Sequence, residues 1–210
     1  MKPDPRALNR VFSPESPAHY LAEYATALAG ALGTVSPTAL AEAARVLEDA
    51  TRAKRRIYVC GNGGSAAIAD HLCCDWTKGT KVEGLPPLRT HSLAANGALL
   101  TALANDFGYE ECFATQVDYF AEPGDVLVAI SSSGKSPNIL KAVARAKERG
   151  LKVIGLSGFS GGGLAQEADI SLYVAFHNYG LVEDAHQSIM HVLSQYLTLR
   201  LEGRETPATL

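Results

Sequence analysis

The 210-residue chain has little of what marks several common classes of protein. It carries no excess of positive charge. Nineteen Lys and Arg stand against 22 Asp and Glu, a formal net charge of -3, so no basic field advertises nucleic acid as a partner. Cysteines number four, and Cys60, Cys73, Cys74 and Cys112 have no framework spacing. Adjacent Cys73 and Cys74 on a predicted helix make a strained disulfide pair, so reduced thiols and a cytoplasmic location are expected. No apolar run is long and pure enough to span a bilayer, and Met1-Lys2-Pro3-Asp4 does not read as a signal peptide. Internal repeats and low-complexity segments are missing too. A single domain with room for a real core is expected over 1–210.

What is present is an ordered pattern. Ser16 to Leu32 and Thr38 to Ala53 read as two helices, separated by Gly33 and by Pro37 at a helix-start position. Short apolar runs follow at Arg56–Cys60, Arg89–Leu93, Asp125–Ile130, Lys152–Leu156 and Ile170–Val174. Helical periodicity lies between them, near Ser65–Thr77, Asn96–Ala104, Tyr109–Phe120 and Asn138–Arg149, and a last helix runs from about Leu181 to Leu201. Strands alternating with helices predict an α/β fold, a doubly wound parallel sheet flanked by helices, with an N-terminal helical segment over 1–54. The core and last helix take 55–202, and 203–210 is a tail. Gly158 to Gly163, with three consecutive glycines, reads as a flexible connection.

Two loops stand at the carboxyl ends of predicted strands. Cys60-Gly61-Asn62-Gly63-Gly64-Ser65 lies between a strand and a helix, which puts backbone N–H groups and the positive end of a helix dipole at one spot. Ser65 can cap that helix and offer its hydroxyl to the same anion. Glycine-rich turns of this kind also occur where nothing binds. The second loop, Ser131-Ser132-Ser133-Gly134-Lys135-Ser136, is dense in hydroxyls that can donate to phosphate oxygens. A solvated serine loop is its bland account, and the pairing of two such loops makes that account the weaker one.

His71 and Asp75 are four apart on the helix that leaves the first loop, hence one turn apart on one face. Such a pair can ligate a metal, share a proton in catalysis, or make a surface contact. Glu183, Gln187 and His191 repeat at four-residue steps on the last helix. That helix also carries Leu181, Val182, Ile189, Met190 and Leu193, so its polar stripe needs partners, and His71 and Asp75 are available.

Gly61-Asn62-Gly63-Gly64-Ser65 and Ile130-Ser131-Ser132-Ser133-Gly134-Lys135-Ser136 resemble the two signature loops of sugar-isomerase (SIS) domains. Ala104-Asn105-Asp106-Phe107-Gly108-Tyr109 and Glu183-Asp184-Ala185-His186-Gln187-Ser188-Ile189-Met190-His191 narrow the resemblance to phosphoheptose isomerases and their non-catalytic relatives. It runs from the first helix to about Leu201. The resemblance implies a flavodoxin-like three-layer SIS domain, a homotetramer packed through its N-terminal helices, and isomerisation of sedoheptulose 7-phosphate to D-glycero-D-manno-heptose 7-phosphate through an enediol. It implies substrate and phosphate contacts from Asn62, Gly63, Gly64, Ser65, Asp106, Ser131, Ser132, Ser133, Ser136 and Glu183. Asp106 is equally readable as a turn residue.

The resemblance also implies a metal held by His71, Asp75, Glu183 and His191, with Asp75 and His191 as base and acid. Two departures stand out, because the family has a glutamate where Asp75 stands and a glutamine where Glu183 stands. Two imidazoles and two carboxylates suit a divalent ion, Zn²⁺ first, with Mn²⁺, Fe²⁺ or Ni²⁺ as alternatives. The shorter Asp75 puts the proton-transfer reach in question. The competing readings are a non-catalytic phosphosugar-binding relative of the kind that helps initiate DNA replication, and an isomerase of another phosphosugar.

Overall fold

The computed structural model describes residues 11–203. Two helices open the chain, α1 (Pro17–Leu32) and α2 (Pro37–Arg52), each with proline in its first turn and a serine cap. Ser16 accepts from the His19 N–H and Ser36 from the Ala39 N–H, satisfying donors that the helix itself leaves free. The alternation then runs β1 (Arg56–Cys60), α3 (Gly64–Gly79), β2 (Arg89–Ser92), α4 (Gly97–Phe107), a 3₁₀ turn (Tyr109–Glu111) and α5 (Ala114–Phe120). It continues with β3 (Val126–Ser131), α6 (Pro137–Glu148), β4 (Lys152–Ser157), α7 (Gly162–Glu167), β5 (Ile170–Tyr173) and α8 (Tyr179–Leu201).

The five strands form one parallel sheet in the order β2-β1-β3-β4-β5. Strand alternation divides the core. Ile57, Val59, Val126, Val128 and Ile154 face α1, α2, α3 and α8, while Tyr58, Cys60, Leu127, Ala129 and Val153 face α4, α5 and α6. The predicted three-layer α/β fold is therefore observed. Strand order reverses between β1 and β3, which are hydrogen-bonded neighbours, so the loops that follow them open side by side at the carboxyl edge.

Two local expectations are corrected. Tyr109–Phe120 is not one helix: it divides into a 3₁₀ turn over Tyr109–Glu111 and α5 from Ala114, with Cys112 and Phe113 between them. Gly158–Gly163 is not a loose connection. A Cβ on Gly134 would lie 1.9 Å from the Gly161 carbonyl oxygen, and one on Gly162 would lie 2.4 Å from the Gly134 oxygen. The serine loop and the start of α7 thus meet backbone to backbone, and only glycine permits the approach at those positive φ values.

Helix α8 is buried along one whole side. Its clearest tie is to α3, where the buried Trp76 donates its Nε1–H to the Met190 carbonyl at 3.1 Å. Tyr24 of α1 donates to Asp184 Oδ2 at 2.6 Å, which seats α1 against the start of α8. His186, fully buried, faces the sheet and contacts the Ser157 carbonyl through Nε2 at 3.2 Å, while Nδ1 has no protein partner. Burial pushes the His186 pKa down from the ordinary 6.5 to about 4, the Ser157 contact opposing only partly.

A depressed imidazole pKa means that the unfolded chain takes up the proton first. The stability contributed by neutral His186 is complete above pH 6.5 and drains as pH falls toward about 4. The loss over that window is on the order of 3 kcal/mol. Urea midpoints at pH 7.5, 5.5 and 4.5 should fall in the native chain, and His186→Gln should flatten that slope. An unchanged slope in the variant would exclude His186 as the cause.

Candidate active site

The first loop enters α3 without a side-chain cap. Gly63, at φ 56, holds the cap position, and Ser65 is the second helical residue. Ser65 thus does not cap α3 as expected; it is buried and turned into a cleft. The second loop enters α6 with Ser136 at its cap position, and there too no side chain caps the helix. Ser136 Oγ instead meets Ser131 Oγ at 3.2 Å. Two helix amino termini with uncapped backbone therefore point at one place, which favours an anion.

The cleft between them has a volume of about 190 Å³. Asn62, Ser65, Ser131, Ser132, Ser133 and Ser136 line it, together with Ile130, Tyr179 and Glu183. The Ser132 hydroxyl is buried without a protein partner, so a ligand oxygen is available to it. Ser133 is partly engaged, since its Oγ accepts from the Lys135 N–H at 3.3 Å. Gly64 lies at the cleft rim beneath Glu183, where an added Cβ would sit 2.4 Å from Oε2.

Asn62 is held by a residue that sequence reasoning missed. Its amide and that of Asn138 exchange two hydrogen bonds, each 2.9 Å, and Tyr109 donates to Asn62 Oδ1 at 2.8 Å. Asn138 is buried in the first turn of α6, so the pair ties one loop to the helix that leaves the other. With Oδ1 occupied twice, Asn62 retains one amide hydrogen for a ligand. A buried asparagine on the otherwise apolar face of Ile139, Ala142 and Val143 was the available signal. Beside the cleft, Phe159 adopts φ 54 and packs its ring 4.7 Å from that of Tyr179.

Farther along α3 and α8 lies a second group. Asp75 Oδ2 is 3.3 Å from His71 Nε2 and 3.2 Å from His191 Nε2, and the two imidazole rings are 5.2 Å apart, edge to face. Gln187 Nε2 approaches His71 Nδ1 at 2.7 Å. With the amide donating there, the His71 proton sits on Nε2, toward Asp75. One ligand atom from each of His71, Asp75 and His191 lies within 4.8 Å of the others, a set suited to a divalent ion.

Glu183, expected in the same set, is not brought to it. It stands eight residues before His191, about 12 Å of helical rise away, and its carboxylate lies in the serine cleft. Burial raises its pKa, and the Asp184 charge raises it further. Asp106 is not brought to the cleft either. It ends α4 exposed, accepting from Asn105 Nδ2 at 2.9 Å.

Comparison with known proteins adds a second line. The family model described as SIS domain matches residues 19–158. The chain is 41% identical over 162 residues to a phosphoheptose isomerase of Rhodospirillum rubrum, covering 77% of this chain and 85% of that one. It superimposes on the solved phosphoheptose isomerase of Francisella tularensis with TM-score 0.80 and 32% identity, over 87% of this chain and 98% of that one. The Neisseria gonorrhoeae phosphoheptose isomerase gives TM-score 0.78 at 31% identity, over 86% and 95%.

Asn138→Ala should leave the fold standing but release Asn62. A cost of about 1–3 kcal/mol in stability is expected from the orphaned amide. Sugar-phosphate affinity should fall several-fold, read by calorimetric titration. Unchanged affinity would mean that Asn62 needs no support from α6.

Proposed function

The chain belongs to the SIS-domain family, among the phosphoheptose isomerases, and from that premise we propose that it converts sedoheptulose 7-phosphate to D-glycero-D-manno-heptose 7-phosphate. One observation carries the reading. The anion cleft opens at the amino ends of α3 and α6, beside the start of α8, and the His71–Asp75–His191 group stands farther along α3 and α8, with His71 seven residues, about 10 Å of rise, beyond Gly64. A substrate with phosphate at one end and its reacting carbons at the other fits that separation.

The uncapped ends of α3 and α6, with Ser65, Ser131, Ser132, Ser133 and Ser136, hold the phosphate. Binding energy spent there fixes the position of C1 and C2. Asp75 takes a proton from C1 of the ketose while His191 gives one to the C2 oxygen, and an enediol results. His191 then takes the proton of the C1 hydroxyl as Asp75 returns its proton to C2, and the aldose is formed. Both imidazoles already touch Asp75, so the base is oriented from two sides.

His71, Asp75 and His191 would hold a divalent ion, Zn²⁺ by preference for two imidazoles and a carboxylate. When bound, the ion supplies Lewis-acid polarisation of the substrate carbonyl. We read residues 1–210 as one domain whose first 54 residues serve assembly. The exposed Leu21 of α1, 67% accessible, and Val192 and Tyr196 of α8 support a homotetramer built on these helices. Four free cysteines agree with a cytoplasmic location, and among the described residues no helix is long and apolar enough to cross a membrane.

The test is NMR of the purified protein with sedoheptulose 7-phosphate, before and after chelation. An aldoheptose 7-phosphate should appear, vanish with the chelator and return with Zn²⁺. Turnover that survives chelation would remove the metal from the mechanism, and none under any metal would overturn the activity. Asp75→Asn should lower kcat at least 10²-fold, the usual scale for a lost general base.

A further inference from the structure

A second cleft, of about 360 Å³, lies along the free edge of the sheet. It is formed where β1 and β2 begin, whereas the sugar-phosphate cleft opens at the carboxyl ends of β1 and β3. Four residues of strand separate the two levels, about 13 Å. Arg56, Tyr58, Arg89, His91 and Phe120 form its cationic and aromatic wall, and Thr77 and Thr90 supply hydroxyls 2.6 Å apart.

Arg56 and Arg89 are direct register partners on neighbouring parallel strands, so their side chains rise from the same face side by side. Like charges so placed repel. Among the described residues, no carboxylate lies within ion-pair distance of either guanidinium. Arg89 spends one N–H on the Lys54 carbonyl at 2.9 Å, and Arg56 makes only long contacts to the Tyr58 hydroxyl and the Phe120 carbonyl, 3.5 and 3.4 Å. Two acids act on Arg56 through their charge, Glu122 and, less strongly, Asp125, and Asp125 is committed to the backbone N–H groups of Arg56 and Glu122. Most of the donors on two planar forks thus remain open toward one cavity, the geometry that grips a phosphate bidentately.

The wall beside them is aromatic. His91 stands between Tyr58 and Phe120, each ring 6.0 Å away and edge to face, and Phe120 is 38% exposed. A flat ring can lie against Phe120 and His91 while its phosphate meets the arginines. We propose that this cleft is a second ligand site, distinct from the isomerisation site, for a phosphate ester that carries a planar ring, the chemistry of a nucleotide.

Titration calorimetry of the full chain with AMP, and in parallel with inorganic phosphate, tests this. AMP should bind saturably, one per chain, and more tightly than phosphate. Arg89→Gln should weaken AMP tenfold or more while sedoheptulose 7-phosphate turnover stays at the native level, which also reports an intact fold. His91→Ala gives the same reading if Arg89→Gln disturbs the Lys54 contact and folds poorly. Ser133→Ala should leave AMP affinity unchanged. Absent AMP saturation, native affinity in both cleft variants, or a loss in Ser133→Ala instead would overturn the site. Phosphate binding as tightly as AMP would overturn the ring-bearing class of ligand.

Discussion

The pairing of α3 with α8 is the constraint on which the rest of the molecule depends. α3 leaves the first loop carrying Ser65, His71 and Asp75, and α8 carries Glu183, Gln187 and His191. The Trp76 N–H to the Met190 carbonyl fixes both the height and the rotation of one helix against the other. A buried indole donor needs that partner, and losing it would leave an unsatisfied polar group in the core. With that registration set, His191 falls beside Asp75, Gln187 beside His71, and Glu183 over Gly64. A rotation of α8 by one residue, about 100°, would scatter all three contacts.

The strand order supplies the other half. Because β1 and β3 are neighbours at the point where the winding reverses, their loops share a cleft without needing a second domain to close it. Holding two loops in register takes specific contacts. The Asn62–Asn138 amide pair ties the first loop to α6, and the glycine-only approach of Gly134 to Gly161 and Gly162 ties the second to α7. The helix dipoles then act on a fixed point rather than a mobile one.

Glu183 gives the site a particular character. Its carboxylate occupies the cleft that two helix termini make favourable for anions, and burial raises its pKa there. A phosphate entering that cleft meets a group of its own sign, so ligand binding and the position of Glu183 are linked. Glutamine at this place would carry no such charge. The residue at this place therefore bears directly on phosphate binding.

Much of this architecture is legible in the amino-acid sequence. The alternation of apolar runs and amphipathic helices determines a parallel doubly wound sheet, because strand and helix periods differ and parallel strands need crossovers. Glycine and serine at strand ends mark both loops, and the i, i+4 spacing places His71 against Asp75. The stripe of Glu183, Gln187 and His191 is visible there too, but a stripe covers two turns, and only the packing of α8 decides which member meets which partner. Gln187, not Glu183, stands against His71 for that reason. The partner of Asn138 and the short helix α7 stay hidden because they rest on contacts with residues far away in the chain, Asn62 for one and Gly134 for the other. The facing of Arg56 and Arg89 is equally out of reach, since strand register is set by the whole sheet. Local pattern determines the elements and the kind of chemistry. Tertiary packing decides which side chains meet, because contact distances depend on helix rotation and strand register, and neither is written in any one segment.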